Sequence, residues 1–146
     1  METDKSIIIG SDHAAYELKE KIKVFLIEKG YAVVDAGTTG NASVSYVDYG
    51  KKVAGAVSQG QYVKGILLCG TGLGMSMVAN RFPGVRAALC SDIFSARMSR
   101  VHNDANILVL GGRIIGDILA FELVQTWLDT GFEGGRHLDR IQSIDD

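Results

Sequence analysis

The stretch Val63-Lys64-Gly65-Ile66-Leu67-Leu68-Cys69, followed directly by Gly70-Thr71-Gly72-Leu73-Gly74, decides the fold of this chain. No polar residue stands between Gly65 and Cys69, which is typical of a central parallel strand covered on both faces. The loop after the strand has glycine at every second position and leads into a segment of helical period. The stretch therefore predicts a strand, loop and helix at the middle of a parallel sheet.

Four more apolar runs of strand length alternate with segments of helical period, and glycine or a small polar residue stands at each junction. The predicted strands run from Ser6 to Ser11, Tyr31 to Asp35, Val63 to Cys69, Arg86 to Cys90 and Asn106 to Leu110. The predicted helices run from about Ala14 to Lys29, Ser45 to Ser58, Leu73 to Asn80, Ile93 to Arg100 and Gly116 to Asp129, and a last one begins near Arg136. This order predicts a three-layer α/β/α Rossmann-like domain with a five-stranded parallel sheet and an additional C-terminal helix.

The composition indicates one compact domain over residues 1–146, since 47% of the residues are hydrophobic and 22% are charged. The formal net charge of -2 gives no general positive field, so neither nucleic acid nor an anionic membrane is an expected partner. The first apolar run stops at Gly10, too soon for a signal peptide or a membrane span. We therefore expect a cytoplasmic protein with free thiols at Cys69 and Cys90.

Titratable and anion-binding residues follow the predicted strands at their carboxyl ends, where ligands bind in open parallel sheets. They are Asp12-His13, Gly37-Thr38-Thr39, Cys69 to Gly74, Ser91-Asp92 and Gly111-Gly112-Arg113. The amides of the glycine-rich loop can point at an oxyanion or a phosphate, although the same glycines also serve simple turn geometry. The spacing is not the dinucleotide fingerprint, which needs Gly-x-Gly-x-x-Gly after the first strand.

Cys69 has two interpretations on residue grounds alone. Its position before a helix N-terminus favours a reactive thiolate, whereas a lone cysteine more often packs as a small hydrophobic residue. Cys90 ends the next strand without a glycine-rich loop after it, so the structural interpretation is favoured there.

The three histidines, His13, His102 and His137, do not have the spacing of metal ligands with a third donor, so no metal site is predicted. Arg136 and Arg140 are four residues apart, and on a helix they would project from one face. They form either a grip for a phosphate or a solvated basic face.

Six segments of the chain carry a resemblance to a known family. They are Gly10-Ser11-Asp12-His13, Cys69-Gly70-Thr71-Gly72-Leu73-Gly74, Ala79-Asn80-Arg81, His102-Asn103-Asp104-Ala105-Asn106, Gly112-Arg113 and Glu133-Gly134-Gly135-Arg136-His137-x-x-Arg140. In this order and spacing they resemble ribose-5-phosphate isomerase B and its relatives, the galactose-6-phosphate isomerase subunits. The resemblance covers the chain from about Ser6 to Ile144.

The resemblance implies an aldose-ketose isomerase that interconverts ribose 5-phosphate and ribulose 5-phosphate through a cis-enediolate, with no cofactor. It implies Cys69 as the catalytic base. It also implies that Thr71 and the backbone amides of the loop stabilise the enediolate. The loop consists of Gly70, Thr71, Gly72, Leu73 and Gly74. It implies His102 as a proton donor for opening the furanose ring and Asp12 as the group that handles hydroxyl protons. The remaining implied contacts are to the sugar, from Asn103 and Tyr46, and to the phosphate, from His13, Arg113, Arg136 and Arg140.

The resemblance also implies a homodimer, or a pair of such dimers, in which the region of His102 and Arg113 enters the site from the partner subunit. The chain departs from the family at Ser45-Tyr46-Val47, where Asp-Tyr-Pro is usual. Met75 stands where some relatives carry a glutamate base, which favours Cys69. Two alternatives stay open: an isomerase for a six-carbon substrate, allose 6-phosphate or galactose 6-phosphate, and a non-catalytic domain that binds sugar phosphates on the same fold.

Overall fold

The computed structural model describes residues 5–146, which form a five-stranded parallel sheet between two layers of helices. The strands are β1 (Ser6–Ser11), β2 (Ala32–Asp35), β3 (Lys64–Cys69), β4 (Ala87–Leu89) and β5 (Ile107–Gly111). The helices are α1 (Tyr16–Glu28), α2 (Tyr46–Ser58), α3 (Leu73–Ala79), α4 (Ile93–Val101), α5 (Asp117–Asp129) and α6 (Arg136–Ile144), and a short 3-10 turn, His13–Ala15, precedes α1. The predicted fold class is confirmed. No helix in this part of the chain has the length and apolarity to cross a bilayer.

The strand order is β2-β1-β3-β5-β4, and every neighbouring pair is parallel. The chain runs outwards from β1 to β2 and then returns past β1 to β3, so the strand order reverses between β1 and β3. Ser11 pairs with Leu68, and Cys69 pairs with Gly111. The carboxyl ends of β1, β3 and β5 therefore meet at the switch point, where open parallel sheets bind ligands.

The sheet separates two apolar clusters. One lies under α1, α4 and α5 and contains Trp127, which is fully buried and donates its indole N–H to the carbonyl of Ala105 at 3.1 Å. The other lies under α2 and α3 and contains Met75 and the Cys69 side chain. β3 contributes to both clusters, because alternate side chains of a strand point to opposite faces. Its predicted central position is confirmed.

The predicted element boundaries differ from the structure by one or two residues at most ends. α1 begins at Tyr16 rather than Ala14, because Asp12 accepts the Ala14 amide at 3.0 Å and so caps the 3-10 turn first. Ser45 is the N-cap of α2, as predicted, and its hydroxyl accepts the Val47 amide at 3.2 Å. That amide is one residue earlier than a capping box would use.

Candidate active site

Cys69 is the last residue of β3, and its side chain is almost fully covered, with 5% of the residue exposed. Its Sγ accepts a hydrogen bond from the Gly72 amide at 3.2 Å. The end of β5 fixes the base of the loop, since the Gly112 amide donates to the Cys69 carbonyl at 2.8 Å and the Arg113 amide donates to the Gly70 carbonyl at 2.9 Å. The thiol is therefore held in one place and in contact with one loop amide, that of Gly72.

Two glycines of this loop are required by their surroundings. Gly72 has a φ of 84°, and a Cβ there would overlap the side chain of Leu89. A Cβ on Gly74 would lie 2.5 Å from a ring carbon of Tyr46. The Tyr46 ring thus lies directly against the loop, and with 39% of the residue exposed it stands at the rim of the site.

Asp12 and His13 lie beside the end of β3. The Asp12 amide donates to the Leu68 carbonyl at 3.3 Å, and the residue is 8% exposed. Nδ1 of His13 accepts the Val44 amide at 3.1 Å, so in the neutral ring the proton is on Nε2. That N–H is available to donate to an anion at this edge of the sheet.

Arg113 lies against the loop of its own chain. A Cβ on Gly70 would be 3.5 Å from Cδ and 3.7 Å from Nη1 of Arg113, whose side chain is exposed. The guanidinium therefore belongs with Cys69, Asp12 and His13 of the same subunit.

The other predicted site residues form a second group near the amino ends of β4 and β5. His102 is the C-cap of α4, and its ring stacks on that of His137, the second residue of α6. Asn103 is exposed, and its carbonyl accepts Nε of Arg86, one residue before β4. Arg136 and Arg140 are both exposed on α6.

The two groups lie apart within one chain, and His102 and Arg113, which the resemblance places together in the partner's contribution, fall in different groups. His102 precedes β5 and Arg113 follows it. A five-residue strand spans about 15 Å at about 3.3 Å per residue, so the two side chains belong to opposite edges of the sheet.

Met75 and Cys90, the two residues weighed against Cys69, both lie in the apolar core. Met75 is fully buried in the core. Burial, with a smaller contribution from the charge of Asp92, raises the pKa of the Cys90 thiol to about 11, so Cys90 stays protonated at neutral pH. Residues 5–146 contain no group of three His, Cys, Asp or Glu side chains that could hold a metal ion.

One supporting network was missed by sequence reasoning. Lys19 is fully buried and contacts Asp35 at 2.5 Å, while the other oxygen of Asp35 accepts the Gly37 amide at 2.9 Å. The Gly37 carbonyl accepts the amide of Ser11, next to Asp12, at 2.7 Å. Burial acts to raise the pKa of Asp35, but the hydrogen bonds from Lys19, Lys23 and Gly37 outweigh it and hold that pKa below its usual value. The sequence did not indicate that Lys19 is buried, because a lysine next to Leu18 in a helix is expected on the exposed face.

A model of the family described as Ribose/Galactose Isomerase matches residues 7–144. The chain belongs to the ribose/galactose isomerase family. It is 45% identical to ribose-5-phosphate isomerase B of Escherichia coli K12 over 140 residues, which are 96% of this chain and 94% of that protein. It is 44% identical to D-erythrulose-4-phosphate isomerase of Pectobacterium atrosepticum, with 95% of this chain and 92% of that protein covered.

The fold of this isomerase also matches that of solved family members. The crystal structure of a ribose 5-phosphate isomerase B from Thermotoga maritima superposes with a TM-score of 0.94 at 57% identity, covering 96% of this chain and 97% of that one. The resemblance stated from the sequence is confirmed, and the chain is an enzyme of the ribose-5-phosphate isomerase B type.

Proposed function

We propose that this isomerase interconverts ribose 5-phosphate and ribulose 5-phosphate through a cis-enediolate, with Cys69 as the base. The observation that carries the proposal is the position of the Cys69 thiol, in contact with the Gly72 amide and at the edge that also holds Asp12, His13 and Arg113. The names of the Escherichia coli and Thermotoga maritima relatives support this substrate.

The reaction moves one proton between two carbons. The Cys69 thiolate takes the proton from carbon 2, and the electrons of the broken C–H bond form a double bond to carbon 1 and leave negative charge on oxygen 1. Thr71 suits the stabilisation of this oxyanion, because its Oγ1 accepts the Leu73 amide at 3.2 Å and its own hydroxyl proton stays free to donate. Asp12 transfers the hydroxyl proton from oxygen 2 to oxygen 1, and the Cys69 thiol then gives its proton to carbon 1.

The phosphate is held far from the reacting carbons. We assign the Nε2–H of His13 and the guanidinium of Arg113 to this role in one subunit, with Arg136 and Arg140 supplied by the partner. Guanidinium groups form strong paired hydrogen bonds to phosphate, and this remote binding energy positions carbon 2 over the base. Tyr46, packed on Gly74, and Asn103 orient the sugar between the two ends.

We also propose a homodimer with shared sites, which the separation of the two groups supports. In a two-fold dimer contacts are reciprocal, so if the Cys69 group of one chain faces the His102 group of its partner, two equivalent shared sites form. The carboxyl edge carries apolar side chains suited to such contact: Leu73, Phe94, Ile114 and Ile118 are 53%, 66%, 59% and 78% exposed. Two free thiols suit the reducing cytoplasm, where we place the enzyme.

A panel of substrates tests the proposal. The purified chain is assayed on ribose 5-phosphate, allose 6-phosphate, galactose 6-phosphate and erythrulose 4-phosphate, the last because a relative at 44% identity carries that name. We expect the highest kcat/KM on ribose 5-phosphate. A higher kcat/KM on another sugar would overturn the substrate, and binding without turnover of any sugar would favour the non-catalytic alternative.

A further inference from the structure

The imidazole ring of His137 lies flat against that of His102. The ring centroids are 4.4 Å apart, and the planes differ by 22°. His137 is 5% exposed, whereas His102 is partly exposed. Contact between the two residues is therefore face to face, with His137 on the inner side.

Nε2, at the edge of the His137 ring, makes no comparable contact. Its Nε2 is 3.3 Å from Oε1 of Glu133, but the angles are not those of a hydrogen bond, and Nε2 has no hydrogen-bond partner among the described residues. A buried ring nitrogen without a partner is unfavourable. Packing alone thus gives no reason for an imidazole at this position. The contact that remains for His137 is the stacking of its ring face on the ring of His102.

His102 needs such a contact to have one orientation. It caps the C-terminal end of α4 and precedes a turn, where a partly exposed side chain is free to change rotamer. The segment before α6 is tied to this end of α4 by a hydrogen bond from the Glu133 amide to the Val101 carbonyl at 3.1 Å. The backbone therefore brings the two rings together, and the stack fixes the plane of His102.

We infer that His137 is a positioning residue for His102, holding its imidazole in the orientation needed to transfer a proton. The inference rests on the proposed function and on the role that the family resemblance implies for His102, a proton donor that opens the furanose ring. Stacked on one face, His102 keeps its ring nitrogens free at the edge to meet the substrate. The inner ring contributes a flat surface and does not itself touch the sugar.

Two substitutions separate positioning from packing. His137→Phe keeps a flat ring, and His137→Leu fills the site without one. We expect His137→Phe to keep kcat within about twofold and His137→Leu to lose at least about tenfold in kcat, because a small misorientation of an acid or base is costly. KM should change little, since Arg136 and Arg140 remain. Equal kcat in the two variants, or a rise in KM alone, would overturn the inference.

Ile141→Val provides the matched control for stability. Ile141 is 7% exposed and lies one turn beyond His137 on α6, and it is not one of the two stacked rings. This variant should lower the melting temperature while leaving kcat unchanged. Loss of kcat in Ile141→Val equal to that in His137→Leu would attribute the effect to loosening of the helix.

Proton exchange gives a readout that a loosened helix would not reproduce. Ribulose 5-phosphate cannot close a furanose ring, because its 5-hydroxyl carries the phosphate, so exchange of its carbon 1 proton with D2O needs the base but not ring opening. In His137→Leu we expect this exchange to persist while net turnover of ribose 5-phosphate falls. Parallel loss of both would contradict the inference. If the unmodified protein turns over no sugar phosphate, the proposed function fails instead, and a nuclear Overhauser contact between the two rings still tests the stack.

Discussion

His102 and Arg113 lie beyond opposite ends of the same strand, β5: His102 precedes its amino end, and Arg113 follows its carboxyl end. Arg113 packs beside Gly70 of the loop after Cys69, whereas His102 stacks on His137 near the amino ends of β4 and β5. In the proposed enzyme these two groups are halves of one site, and one chain holds both halves apart from each other. The proposed enzyme needs a second copy to complete either half.

Mixing two inactive variants tests whether the site is shared. Cys69→Ser and His102→Asn should each have very low turnover as homodimers, because each of their sites lacks one group. After co-refolding, half of the dimers would be mixed, and each mixed dimer would hold one intact site. We expect recovery of about a quarter of the unmodified turnover. Absence of recovery despite mixed dimers, or full activity in a monomer, would contradict the shared site.

Gly74→Ala tests the contact between the loop and Tyr46. The new methyl group would lie 2.5 Å from the Tyr46 ring, and because that ring is partly exposed it should move aside without unfolding the protein. We expect KM for ribose 5-phosphate to rise roughly tenfold, the loss of one sugar contact. Gly40→Ala is the control, since a Cβ there meets no atom within 4 Å. Equal kinetics for the two variants would exclude a role for Tyr46 in binding.

Asp35→Asn tests the buried ion pair behind Asp12. Lys19 is fully buried and would lose its closest carboxylate, so we expect a loss of about 3 kcal/mol in unfolding free energy at neutral pH. The pKa of Asp35 is lowered by folding, so its stabilisation is complete above the ordinary value of 3.8 and is lost as pH falls through the lower folded-state value.

The difference in melting temperature between Asp35→Asn and the unmodified chain should accordingly stay constant at pH values above the ordinary pKa of 3.8 and narrow as the pH falls below it. Asp117→Asn is the control, because its partner Lys21 forms an exposed pair that contributes little. A difference that stays constant with pH would show that Asp35 does not act through its charge.

Chelation tests the absence of a metal from the proposed mechanism. No group of three candidate ligands exists among residues 5–146, and the proposed steps use only a thiol, a carboxylate and hydrogen-bond donors. Turnover after dialysis against EDTA should equal that of the untreated enzyme. A loss that added divalent cation restores would contradict the mechanism.

The fold was predictable because its signals are local. The uninterrupted apolar run of β3 and the glycine after most strands fix a parallel sheet, and periodicity fixes its helices. Local signals do not indicate which of two local structures forms at the end of an element. At the start of α1, for example, Asp12 caps a 3-10 turn where the sequence predicts the first turn of the helix. The burial of Lys19 was hidden for a similar reason, since its partner Asp35 lies 16 residues further along the chain.

The sequence indicates which predicted site residues lie near each other in one part of the sheet, but it does not indicate that the predicted residues form two separate groups. Asp12 follows β1 and Cys69 ends the neighbouring strand β3, so their proximity is a consequence of strand order. The side on which Arg113 lies depends on how its side chain packs against Gly70, which no motif specifies. The stack of His102 on His137 depends on the path of the chain between α5 and α6. In the sequence, His137 is notable only for its position between Arg136 and Arg140, and nothing there indicates that it stacks on His102.

The most direct test of Cys69 as the catalytic base is to compare the turnover of Cys69→Ser with that of its control, Cys90→Ala. A serine hydroxyl is a far weaker acid than a thiol, so we expect a fall in kcat of at least about 10²-fold, with binding of a phosphate ligand retained through His13 and Arg113. Cys90 is buried and stays protonated, so its alanine variant should keep full turnover. Near-normal kcat in Cys69→Ser would contradict the assignment of Cys69 as the base.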